Sequence, residues 1–324
     1  MRTLLVALAW SLAALVAAGA QSNVDDYPQR PVTFLCPFPP GGSTDVLTRI
    51  LAQELQDKLK RPFIVENRPG AGTLVAAQAA ARAAPDGYTI LLAPITTLAT
   101  APIVHKSLPY DVTKDFAPVG LVGSAQFALV VNAALGPKTL PELIAYMKSR
   151  DGKLSYASAG NATPHHMFME LFLKMIGAKA QHVPYRGSAA ALTDIMAGTV
   201  PFMMVDLGAA MPAINDGKVK ALAVTSPTRI KAWPDLPTIA EAGVPGYSGF
   251  AWFSVVAPAG TPPPIIDKLN SVIMTFIDRP DTQARLSTLA ISPLTSTPDE
   301  LTRFIAAETA KWAQVAKDAG IQPE

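Results

Sequence analysis

The sequence predicts an α/β protein with helices laid on the faces of parallel sheets. From Pro31 onward, short β-branched runs alternate with longer stretches of helical period, and a strand that returns parallel to its predecessor needs a helix-length crossover. The alternation lapses once, between Leu108 and Asn132, where two strand-like runs follow one another with no helix between. The last third holds one strand-like run and three helical stretches. It has too few strands for a sheet of its own, so it is expected to return to a sheet begun earlier.

Taken in order, "VTFLCPF" reads as a strand. "TDVLTRILAQELQDKLK" places Val46, Leu47, Ile50, Leu51, Leu55 and Leu59 at spacings of three and four, an amphipathic helix. "FIVEN", the Ala-rich helix of "GTLVAAQAAARAAPDG" stopped by Pro85 and Gly87, and "YTILLAP" complete a βαβαβ unit. After the lapse comes helix "TLPELIAYMKS", where Thr139 and Glu142 have capping-box spacing. Strands "KLSYASA", "AQHVPY", "VPFMMVD" and "VKALAVTS" then alternate with helices "PHHMFMELFLKMIG", "SAALTDIMAG" and "GAAMPAINDG". "FAWFSVVAPAG" is the late strand, and the last helix opens on a second box, Thr297 to Glu300. No repeat of fixed period is present.

The first twenty residues carry one positive charge at Arg2, an apolar run from Leu4 to Ala18 and an Ala-Gly-Ala ending. These are the parts of a secretory leader, with a run shorter than the ~20 residues of a membrane span. Cleavage after Ala20 and export to the periplasm are expected. Without Arg2, 26 basic residues face 25 acidic ones with no run of like charge, which argues against nucleic acid. The single cysteine, Cys36, excludes an internal disulfide and reads as a buried strand residue.

Three loops leave strands for helices and are rich in Gly, Ser, Thr, Asn and Pro: "FPPGGSTD", "APITTLAT" and "SAGNATPHH". In an α/β sheet, ligands sit beyond the carboxyl ends of the strands, where a helix start offers unpaired N–H donors and a positive dipole end. Hydrogen bonds to a charged group contribute about 1.5–3 kcal/mol each, and micromolar binding needs about 8 kcal/mol. Two such loops suffice for a carboxylate without an arginine. Each loop taken alone reads first as a turn with an N-cap, and it is the three together that bring the binding reading level with it.

Asp45 belongs in a first helical turn rather than on an anion. Asp206, at the end of "VPFMMVD", either accepts from a ligand donor or caps the next helix. Arg186 either clamps a distal carboxylate or is a rim charge. His165 and His166 are adjacent and point to different faces, a geometry unsuited to one metal ion, and no metal or other cofactor is expected. Ser158, His166 and Asp206 lack the Gly-x-Ser-x-Gly elbow of a hydrolase, so no catalytic residues are assigned and no enzyme is expected.

The stretches "PFPPGGSTD", "VENRPGAG", "APDGYT", "LPYDVTKDFAPV", "KLSYASAGNATPHH", "VPYRGSAAALTDIMAGTVPFMMVD", "ALAVTS", "LPTIAEAGVPGY" and "APAGTP" run in order along the whole chain after the leader. In them the chain closely resembles the Bug family, the TctC-type solute receptors of tripartite tricarboxylate transporters. The resemblance implies a type II periplasmic binding protein: two α/β lobes joined by two crossing strands, lobe 1 from 21–124 and 226–324 and lobe 2 from 125–225, with crossings near Ser124 and Thr225. It implies a ligand held by Phe38, Gly42, Ser43, Thr44, Thr96 and Thr97 on one side and Ser158, Asn161 and Thr163 on the other, with Asp206 at its distal part. The ligand class it implies is a small carboxylate: a di- or tricarboxylate, an amino acid or an aromatic acid. Membrane subunits of the transporter are the implied partners of a monomeric receptor, a sensor that signals through a partner being the alternative. Ser43 stands where the family commonly has a third glycine, and His165 where it commonly has serine.

Overall fold

The computed structural model describes residues 26–41, 43–150, 152–161, 163–185, 187–230 and 233–323. The expected leader and its cleavage point lie outside them. Among the described residues no helix is long and apolar enough to cross a membrane.

Eleven strands form two sheets among the described residues. The first sheet has the order β2-β1-β3-β10-β4-β11, built from β1 (Val32–Cys36), β2 (Phe63–Asn67), β3 (Thr89–Pro94), β4 (Phe116–Ala125), β10 (Ala251–Pro258) and β11 (Ile291–Ser292). The second has the order β7-β6-β8-β5-β9, built from β5 (Phe127–Asn132), β6 (Ser155–Ser158), β7 (Gln181–Pro184), β8 (Phe202–Asp206) and β9 (Val219–Val224). The two orders are the same pattern. In each, three parallel strands run second-first-third, followed by an antiparallel strand that has just crossed from the other lobe. The returning strand expected from the last third is β10. All eight of its residues are buried, because it lies between β3 and β4 at the centre of the first sheet.

This topology fixes which loops face each other. β4 runs parallel to β1 and β3, since both β3 and β4 are antiparallel to β10. Its carboxyl end is where the chain leaves for the second lobe, so the carboxyl ends of β1 and β3 face that lobe too. β5 enters the second lobe at Phe127 and is antiparallel to β8, which is parallel to β6. The carboxyl ends of β6, β7 and β8 therefore face back toward the first lobe.

The helices follow the expected periods. In α1 (Ser43–Leu59), Leu47, Ile50, Leu51 and Leu55 are buried while Val46 and Leu59 are half-buried. They form a core with α8 (Pro263–Ile277) on one face of the first sheet. α2 (Leu74–Ala81) buries Ala76, Ala77 and Ala80 on the other face and stops at Ala81, short of Pro85. A short helix, α3 (Ala101–Val104), follows an irregular turn at Thr96–Thr100. In the second lobe α4 (Leu140–Arg150) and α5 (Pro164–Ile176) cover one face of the sheet, and α6 (Ser188–Ala197) and α7 (Leu207–Asn215) the other. α9 (Pro280–Thr288) and α10 (Pro298–Asp318) end the chain.

The two capping boxes differ. At Thr297 both bonds are made: its side chain accepts from Glu300 N–H at 3.2 Å and Glu300 accepts from Thr297 N–H at 2.9 Å. At Thr139 the first bond is a long 3.4 Å, and Glu142 reaches instead to the N–H of Lys138 at 2.8 Å. The reciprocal bond expected there is displaced by one residue.

The lobes join at the crossings and through apolar core residues shared by both. Gln126 donates its N–H to Ala290 of the first lobe (3.1 Å) and accepts from Leu207 N–H of the second (2.9 Å). Thr225 donates its N–H to Phe127 O (3.0 Å) and accepts from Gly249 N–H (2.9 Å), binding the two crossings together. Beside them α5 packs on α10, with the rings of Phe168 and Trp312 stacked at 5.3 Å. Lys174 pairs with Asp318. Glu308 is buried there and accepts from the indole N–H groups of Trp252 (3.1 Å) and Trp312 (2.9 Å), while its other oxygen takes Lys311 (2.9 Å).

Candidate functional site

The loop after β1 is held by a buried carboxylate. Asp45, 3 % exposed, accepts from Gly41 N–H (2.9 Å), Asn67 Nδ2 (2.8 Å) and Arg49 Nε (3.0 Å). Burial alone would raise its pKa. The bonds from Arg49, Gly41 and Asn67 outweigh burial and hold it below the usual range. Asp45 is thus the fastener of this loop, its charge met by Arg49. Gly41 sits at φ 90°, open to glycine at little cost. Asn67 also donates to Phe38 O at 2.9 Å, which ties β2 to the same loop. Phe38 is half-buried, Thr44 nearly buried, and Ser43 is the first residue of α1. Gly42 lies outside the described residues.

After β3, Thr96 is half-buried but Thr97 is fully buried. The hydroxyl of Thr97 lies 2.8 Å from that of Thr73, and its carbonyl accepts from Tyr110 OH at 2.8 Å. Thr73 has φ 92°, rare and costly for a β-branched residue, on the order of 1–3 kcal/mol. Thr97 therefore braces a strained neighbour, and its hydroxyl is turned away from solvent.

In the second lobe Ser158 is fully buried at the end of β6. Its Oγ lies 2.6 Å from His182 Nε2 and accepts from Gly160 N–H at 3.1 Å. Thr163 is the N-cap residue of α5, yet its hydroxyl donates backwards to Gly160 O at 2.7 Å. Its carbonyl accepts from the N–H groups of His166 and Met167 (3.0 Å each), and Pro164 has no N–H, so among the first amides the one outside these bonds is that of His165. Asn161 is exposed. Behind Ser158 the imidazoles of His182 and His166 stack at 3.8 Å, and Tyr156 stacks on His182 at 5.1 Å and donates to Glu170. Burial lowers His182 to about 4 and, with the neighbouring His182, lowers His166 to about 3; it also raises Glu170 and Tyr156.

Asp206 takes one of the two roles the sequence allowed, the cap. Oδ1 caps α7, accepting from Ala209 N–H at 2.9 Å. Oδ2 accepts from Ser188 at 3.2 Å and lies 3.6 Å from His165 Nε2. His165 and His166 diverge as expected, one toward Asp206 and the other toward His182. Ser188, His182, Tyr156 and Glu170 were not singled out by sequence. Arg186 lies outside the described residues.

Among the described residues no group of three His, Cys, Asp or Glu side chains is placed to hold a metal ion. A crevice of about 750 Å³, lined by Gln126, Met211, Trp233, Gln283 and Ser292 among others, lies near the predicted loops but not at them. It is on the β9 and β11 edges of the two sheets, across the crossing strands from the loops of β1, β3 and β6. The loops at the strand ends are favoured as the site because the strand directions turn those of the two lobes toward each other; the crevice is a gap beside the hinge.

Two α/β lobes of like topology, joined by crossing strands and turning strand-end loops toward a shared cleft, define a solute-binding receptor of the type II periplasmic binding protein class. The chain belongs to the tripartite tricarboxylate transporter family of receptors, TctC, whose family model matches residues 47–321. Protein BugT of Bordetella pertussis is 38 % identical over 319 residues, spanning 98 % of each chain. The structure of R. palustris Rpa4515 with adipate is similar at 36 % identity and TM-score 0.83, over 92 % of this chain and 100 % of that one. MatC (Rpa3494) from Rhodopseudomonas palustris with bound malate follows at 34 % identity and TM-score 0.76, over 89 % and 99 %. The relatives are receptors, not enzymes.

Proposed function

We propose that this chain is an exported, monomeric receptor of the periplasm that closes its two lobes on a small organic carboxylate and delivers it to the membrane subunits of a tripartite tricarboxylate-type transporter. The lobes divide near Ser124 and Thr225, at the crossings bound by Gln126 and Thr225. The observation that carries the reading is the convergence of strand-end loops from both lobes on one cleft. The ligand's acid group is taken by main-chain N–H groups and hydroxyls of Phe38, Gly42, Ser43, Thr44 and Thr96 from one lobe and by the loop of Ser158, Asn161 and Thr163 from the other, where the Ser158 and Thr163 hydroxyls hold the loop's shape, with Asp206 distal. Thr97 contributes from behind, by bracing Thr73. Only the closed form lets both loops contact the anion, so ligand shifts the population toward it. Adipate and malate in two relatives support a carboxylate as the ligand class.

The test is thermal-shift screening of the purified protein, cleaved after Ala20, against a panel of carboxylic acids. At least one acid is expected to raise the melting temperature, and Thr44→Val with Asn161→Ala to abolish that rise while the unliganded protein melts as before. A rise that survives the double substitution rejects the assigned loops.

A further inference from the structure

The second lobe contains a polar cluster whose hydrogen bonds do not close on themselves. Asp206 ends β8, Ser188 begins α6 and His165 lies in the first turn of α5, so three strand-to-helix junctions meet. Burial opposes ionisation of Asp206, and the bonds from His165, Ala209 and Ser188 outweigh it, leaving a carboxylate below its usual range. A carboxylate only accepts. The single proton of Ser188 therefore goes to Asp206 Oδ2 at 3.2 Å. The 3.0 Å contact between Ser188 Oγ and His165 Nε2 must then be an N–H of the imidazole donating to the hydroxyl. His165 is 7 % exposed, packed edge-on to Phe127 at 5.0 Å, and its Nδ1 is buried with no partner among the described residues. Asp206 itself keeps 29 % of its side chain exposed at the lobe's cleft-facing end.

The exposed side of Asp206 asks for a donor or a positive charge. We propose that Asp206, Ser188 and His165 form a distal subsite that selects a carboxylic acid bearing a hydrogen-bond donor, a hydroxyl or an ammonium, over the same acid without one. Ser188 and His165 act as positioning residues that hold the carboxylate's rotamer. The inference rests on the carboxylate-capture reading above and gives it a substrate class, hydroxy or amino acids.

Isothermal titration calorimetry with succinate, malate and aspartate tests it, since these four-carbon diacids differ chiefly in the donor. The intact protein is expected to bind malate or aspartate at least tenfold more tightly than succinate. Asp206→Asn, whose amide oxygen still caps α7, should weaken the donor-bearing acid tenfold or more while leaving succinate unchanged or tighter, because a repelling charge has gone. His165→Phe, which keeps the packing on Phe127, should narrow the preference without equal loss for succinate. A folding defect cannot produce opposite signs for two ligands. Equal affinity for all three acids in the intact protein, or equal weakening of all three in Asp206→Asn, overturns the subsite and leaves carboxylate capture standing. No binding of any acid, here and in the thermal-shift panel, overturns both.

Discussion

The hydroxyl of Ser158 lies 2.6 Å from Nε2 of His182, so the loop proposed to hold the ligand rests on a half-buried imidazole stacked against a second, buried one, His166.

That pair makes stability depend on pH. Burial lowers the pKa of His182 to about 4, below the ~6.5 of an unfolded histidine. Between these values the unfolded chain binds the extra proton, so stability is fully present above about pH 6.5 and is lost as pH falls toward 4. Glu170, raised by burial, acts in the opposite sense. His182→Phe isolates the effect. Since His182 is partly exposed, the discounted difference between the two proteins' losses from pH 7 to pH 5 is on the order of 1 kcal/mol. Urea unfolding at the two pH values measures it, and parallel losses would remove His182 as the cause.

Glu308 should be costly to remove, in proportion to what replaces it. Leu leaves the indole N–H groups of Trp252 and Trp312 buried without an acceptor, at about 1–3 kcal/mol each. Gln keeps a carbonyl oxygen between them and should cost about half as much or less. Denaturant midpoints of the two variants decide it; equal losses would mean that the carboxylate matters only through Lys311.

The two capping boxes predict unequal effects from one substitution. Thr297→Ala removes a box with both bonds made and should destabilise by about 1 kcal/mol. Thr139→Ala removes one 3.4 Å contact, and a loss of only a few tenths of a kcal/mol, roughly, is expected. Chemical denaturation ranks them, and the reverse order would contradict the geometry.

The helices and strands were legible because their signals are local. The buried face of α1 is the three-and-four spacing of Leu47, Ile50, Leu51 and Leu55, and β10 announces itself by an apolar run broken only by Ser254. The like order of the two sheets was not legible, since strand order leaves no period in the chain. The site divides similarly. Strand-end loops could be found from their Gly, Ser and Thr content, but which hydroxyls remain for a ligand depends on tertiary partners. Thr97 is spent on Thr73, twenty-four residues away in the chain. Tyr156 meets His182 only because β6 pairs with β7 in that register. Ser188 is the one missed residue with a readable signal, a hydroxyl opening a helix directly after Gly187.

The place of β10 also dictates an order of assembly. Strands β5 to β9 all come from one unbroken stretch, so the second lobe has every strand it needs once Val224 has emerged. The β10 side of β3 must wait for Phe253 to reach Pro94, and Leu121 N–H donates to Ser296 Oγ, 175 residues further on. Contacts of such long separation form slowly. The lobe that is begun first is therefore completed last, and pulse-labelled hydrogen exchange should find the amides of β5 and β8 protected before those of β3.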